Sequence, residues 1–159
     1  MSSVLIICIV GIVACAVLDM WQRLLHAIFK FPPSNWAMVG RWLILFSKSR
    51  VWVQSNLSAQ GSIKNELYVG WVFHYMVAMA YALFYFYLFT QSVVQFELFD
   101  GAIFGLISVI VPWFFFIPAM GGGILANKTP NPQLSCTLAL FAHIIFGSAL
   151  GLLFKLCYS

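Results

Sequence analysis

Four stretches of this chain run for about 20 residues with almost no charge, the length an α-helix needs to cross roughly 30 Å of hydrocarbon. They are residues 4–29, 67–90, 99–118 and 134–157, and the first is unbroken from Val4 to Leu18 before Asp19 interrupts it. The rest of the 159-residue chain cannot offset them. Some 63% of residues are apolar and 8% charged, with a mean hydropathy of +0.97. Eight Lys/Arg and four Asp/Glu are too few to cover a soluble core. Lipid is therefore the expected solvent. The expected fold is all-α: one membrane domain over 1–159, an integral bundle of four transmembrane helices.

The formal charge of +4 does not point to nucleic acid. Half of the charged residues fall between Lys30 and Glu66, and they mark a loop rather than a binding face. Positive residues near span ends mark the cytoplasmic side. Loop 30–66 holds Lys30, Arg41, Lys48, Arg50 and Lys64, the third loop holds Lys128, and the second holds no basic residue. The first and third loops are thus expected in the cytoplasm and both termini in the periplasm, with Lys155 the one basic residue against that threading. Both sequons, Asn56-Leu57-Ser58 and Asn127-Lys128-Thr129, then face the side where glycosylation does not occur.

Met1-Ser2-Ser3 lacks the basic start of a signal peptide, so the first stretch is expected to stay as a helix. The approach to Cys15 through Ile12-Val13-Ala14 looks like that of a lipid-modified cysteine, but it too is read as helix. Cys8, Cys15, Cys136 and Cys157 form no CxxC pair and read as small lipophilic side chains.

Within loop 30–66, Trp36, Val39, Leu43 and Phe46 recur at helical spacing behind a candidate Asn35 cap. The expectation is an interfacial helix, with Arg41, Lys48 and Arg50 at anionic headgroups. A partner-docking helix is the alternative. In the third loop, Gly121-Gly122-Gly123 and Thr129-Pro130-Asn131-Pro132 cannot continue a helix and read as turn.

Polar groups at bilayer depth are costly, so those inside the spans carry the functional reading. Asp19, Arg23 and His26 share one face of the first span, where Asp19 and Arg23 can neutralise each other. Glu66, Gly70, His74, Ala78 and Ala82 repeat every fourth residue on the second span, as do Ser135, Ala139, His143, Gly147 and Gly151 on the fourth. Small residues at that spacing let backbones approach, so Gly70, Ala78, Gly147 and Gly151 are packing candidates and the two stripes are expected to meet. His74 and His143 lie roughly 10 to 14 Å from the inner ends of their spans, and Asp19 comes near the same layer. Pro112 on the third span is expected to kink or loosen its helix close by.

Asp19, Arg23, Glu66, His74 and His143 are accordingly the ligand-binding candidates. Asp19, His74 and His143 together would suit a transition metal, and the two imidazoles a haem, though no cofactor is assigned. Cross-helix hydrogen bonding is the competing reading. No catalytic motif is present.

Asp19-Met20-Trp21, Val39-Gly40-Arg41-Trp42, the run from Gly70 to Tyr75, Thr129-Pro130-Asn131-Pro132, and Ala142-His143 with Phe146-Gly147 resemble a family catalogued as domain of unknown function twenty-nine thirty-eight. The likeness covers nearly the whole chain and implies a multi-pass protein of the bacterial inner membrane without an assigned activity. The expectation is a protein that binds or passes a small ligand or ion at a polar layer in its cytoplasmic half. An accessory subunit of a membrane complex is second and a metal or haem protein third. The expected partners are the lipid bilayer and a membrane protein or a second copy of the chain, with no nucleic acid.

Overall fold

A computed structural model describes residues 2–55 and 57–158. Its regular elements, among the described residues, are all helical: α1 (Ser3–Phe29), α2 (Trp36–Ser49), α3 (Glu66–Thr90), α4 (Leu98–Ala119) and α5 (Pro132–Tyr158). Helices α1, α3, α4 and α5 are long and apolar enough to cross a membrane. Their ends fall within a residue or two of the apolar stretches, because where the charges stop the helix can enter hydrocarbon. Outward-facing residues such as Met20, Phe99 and Leu156, 70 to 75% exposed, suit that solvent. Asn56, the acceptor of the first sequon, lies outside the described residues.

The local signals act as written. Ser2 caps α1 by accepting from the Leu5 N–H, and the helix closes at Lys30, whose left-handed backbone returns its N–H to His26 O. Asn35 Oδ1 accepts from Met38 N at 3.1 Å and starts α2, which ends in the same way at Arg50. α4 loosens locally at Pro112. Residues Pro112–Phe116 form a π-turn, and the Ile117 N–H reaches back to Pro112 O. A proline ring lacks the N–H for an i→i−4 bond, and widening the helix by one residue lets the chain continue past it.

Contacts group the chain into two compact units: Met1–Pro33, Tyr75–Ser108 and Leu140–Ser159 in the first, and Ser34–His74 with Val109–Ala139 in the second. The first has a core of Val10, Ala14, Cys15, Ala82, Tyr85, Phe146, Leu150 and Phe154, among others. Its α4 and α5 meet through glycines. A Cβ on Gly101 would strike Gly147 O, one on Gly105 would strike His143 O, and one on Gly151 would strike Glu97 O. Ala78 and Ala82 of α3 lie instead against Gly11 of α1, where an added Cβ would stand 3.1 Å from Ala82 Cβ.

This corrects the expected pairing of stripes. α4 carries its own glycine notch at four-residue spacing, so the α5 backbone fits there, while α3 meets α5 through aromatic pairs such as Tyr81–Phe146 and Tyr85–Phe154. The aromatic run of α3 thus fills space between helices. Near its end, Phe89 stacks on Phe96 at 3.7 Å and Tyr85 Oη donates to Gln95 O, closing the α3–α4 turn. Lys155, the residue against the charge pattern, pairs with Glu97 at 2.7 Å.

In the second unit α2 docks on the first turns of α3. Gly40 would strike Glu66 O, and Gly70 would strike Trp36 O, if either carried a Cβ. Trp42 is buried with Leu57 and Ala119, and its indole donates to Trp52 O. Gln54 N donates to Ala119 O, and Gly121, at φ 88°, holds its backbone against Gln54 O and Ser55 O. The helix expected to lie along the headgroups therefore gives the face of Val39, Gly40 and Trp42 to protein, leaving Lys48 and Arg50 exposed.

Candidate functional site

The polar residues read from the sequence divide between the units: Asp19, Arg23 and His143 in the first, Glu66 and His74 in the second. Asp19 sits on the inward face of α1 with only 9% of its surface exposed. Sequence reasoning offered it Arg23. In the structure Tyr75 of α3 donates from its Oη to Asp19 Oδ2 at 3.1 Å. One turn earlier on the same face, the fully buried Cys15 places its Sγ within 4.8 Å of an Asp19 carboxylate oxygen. A carboxylate, a phenol and a thiol thus converge in the apolar interior of the first unit. Such a group can hold a proton or a cation.

His143 is engaged differently. Ser108 Oγ donates to Gly105 O at 2.8 Å and stands 2.8 Å from His143 Nδ1. A hydroxyl has one hydrogen, so with that hydrogen on the Gly105 carbonyl the imidazole Nδ1 is the donor to Ser108. The ring also lies edge-on to Tyr81. These contacts join α4, α5 and α3, which is the role of a cross-helix hydrogen bond.

In the second unit, Arg41 and Glu66 hold each other. Arg41 Nε donates to Glu66 Oε2 at 2.8 Å and an Nη to Oε1 at 2.9 Å, while its other Nη reaches Leu57 O and Gln60 O. Ile63 N also donates to Glu66 Oε2. The carboxylate pushes the Arg41 guanidinium above its ordinary pKa, mainly through the hydrogen bond. The sequence places Arg41 among the headgroup cations and Glu66 among the ligand candidates. Both are instead used in fastening loop 57–66 to α2, because a bidentate fork satisfies a carboxylate better than a mobile lipid can.

His74, 8% exposed, stacks on Trp36 at 3.7 Å and meets the edge of Trp71 at 5.7 Å. It anchors the start of α2 on α3. Sequence reasoning missed Tyr75, Cys15, Ser108 and Trp36 as partners. Cys15 had a legible signal, its spacing of four from Asp19; the other three depend on neighbours distant in the chain.

The family model for proteins of unknown function DUF2938 matches residues 8–156. The chain belongs to this family. No curated protein and no solved structure matches it. Four candidate spans make this DUF2938 member a multi-pass membrane protein, and the match runs through α1 to α5, so every residue of the Asp19 group lies inside it.

Proposed function

We propose that this protein binds or passes a small cation or a proton at the polar group built on Asp19, within a bacterial inner membrane and with both termini in the periplasm. One observation carries the reading. A carboxylate lies buried in a candidate membrane span and accepts a hydrogen bond from Tyr75 on a second span. A charge at that depth is costly unless it has partners, and intramembrane carboxylates typically serve ion or proton paths. The threading rests on the basic residues of loop 30–66 against none in the second loop.

The test is the thermal stability of tag-free protein in detergent, scanned against pH and against sodium, potassium, magnesium and zinc salts, for wild type and Asp19→Asn. The wild type is expected to gain stability with one of these solutes, or to change with proton concentration, and D19N to lose that response. Identical responses from the two proteins would remove Asp19 from the reading and the reading with it.

A further inference from the structure

Cys15 and Asp19 stand one helical turn apart on α1, both buried, with donor atoms within 4.8 Å of each other. Side chains at i and i+4 share a helix face, the spacing by which helices chelate zinc. From this geometry we infer that the Asp19 group is a metal site for a borderline-soft divalent ion of the zinc or cobalt type, with Cys15 as sulfur ligand and Asp19 as oxygen ligand. The inference rests on the cation reading above and deepens it by naming the ligand class.

The donor chemistry selects that class. A thiolate disfavours magnesium and calcium, which take oxygen ligands, while a carboxylate beside a single sulfur is poorly matched to copper(I). Charge agrees as well. A divalent ion taken into an apolar interior needs neutralisation, and one carboxylate with one thiolate supplies two negative charges. Tyr75 has the place of an outer partner: its Oη donates to Asp19 Oδ2 and so orients the carboxylate. Binding involves no redox step. The Cys15 S–H bond breaks, its electron pair forms the bond to the metal, and the proton leaves to water. Affinity should therefore rise with pH as proton competition falls.

The experiment uses full-length, tag-free protein in detergent, with Cys8, Cys136 and Cys157 replaced by serine so that Cys15 is the remaining thiol. Cobalt(II) is titrated and followed by near-ultraviolet absorption. The inference expects one cobalt per chain with a thiolate-to-cobalt charge-transfer band that vanishes in a further Cys15→Ser variant. Tyr75→Phe should keep the band while weakening affinity about 10- to 100-fold, as loss of an outer-shell partner does. X-ray absorption of the zinc-loaded protein that retains Cys15 needs no site variant to fold, and should show a sulfur at about 2.3 Å.

Metal bound without a sulfur neighbour, or sodium, potassium or proton responses that depend on Asp19 without any zinc or cobalt binding, would overturn the inference and leave the cation reading standing. No Asp19-dependent response to any of these solutes would remove both.

Discussion

At the scale of single residues, some of the buried polar groups among the described residues fasten helices, and the group on Asp19 is the one for which a ligand is proposed. His143 and Ser108 belong to the first kind. His143→Ala should lower unfolding stability in detergent by roughly 0.6 to 2 kcal/mol, the range for interhelical hydrogen bonds in membranes, and leave the Asp19-dependent cation response intact. Denaturant unfolding of H143A and S108A, with the double variant to measure their coupling, checks this. Additive losses would mean that the hydrogen bond contributes nothing. Glu66→Gln removes the charge that Arg41 grips at both carboxylate oxygens. It should release loop 57–66, seen as faster hydrogen exchange at residues 57–64 while α3 keeps its protection. Asp19 stood out in the sequence because a carboxylate within an apolar span needs a reason to be there. Tyr75 did not, since tyrosine is ordinary in a membrane helix and only the placement of α1 beside α3 makes its hydroxyl a donor to Asp19.

Among the helices, glycine and proline determine how closely backbones meet. The spacing of Gly147 and Gly151 was visible as a contact surface, but its partner was not, because Gly101 and Gly105 on α4 and Ala78 and Ala82 on α3 present comparable small-residue stripes. Tertiary packing chose α4. Gly147→Leu should therefore separate α4 from α5, costing at least about 1 to 3 kcal/mol as forced overpacking does, without preventing membrane insertion. Unfolding in detergent together with membrane fractionation tests it, and unchanged stability would mean the two backbones do not touch. α2 shows a similar division. Its periodicity and Asn35 cap announced a helix, and the structure has one at Trp36–Ser49. The stripe alone did not say whether lipid or protein covers it. Gly40 and Gly70 decide that, because without side chains at those positions α2 comes into backbone contact with α3.

For the whole molecule, the threading yields a direct prediction. In intact cells a membrane-impermeant maleimide should label a cysteine placed at Ser92 in the second loop and spare one placed at Ser55 in the first, in a background lacking the four native cysteines. The reverse pattern would invert the threading. The sequence by itself determined the solvent, the helical class and the ends of the four spans, because each depends on local quantities: the length of an apolar run, the position of a charge, a cap. Only the tertiary structure decided which glycines meet, that Arg41 turns to Glu66 rather than to lipid, and that Cys15, Asp19 and Tyr75 come together. Those outcomes depend on which of several similar helix faces lie side by side, and lipid, as apolar as the helices themselves, leaves that choice to close packing and hydrogen-bond geometry that no single span encodes.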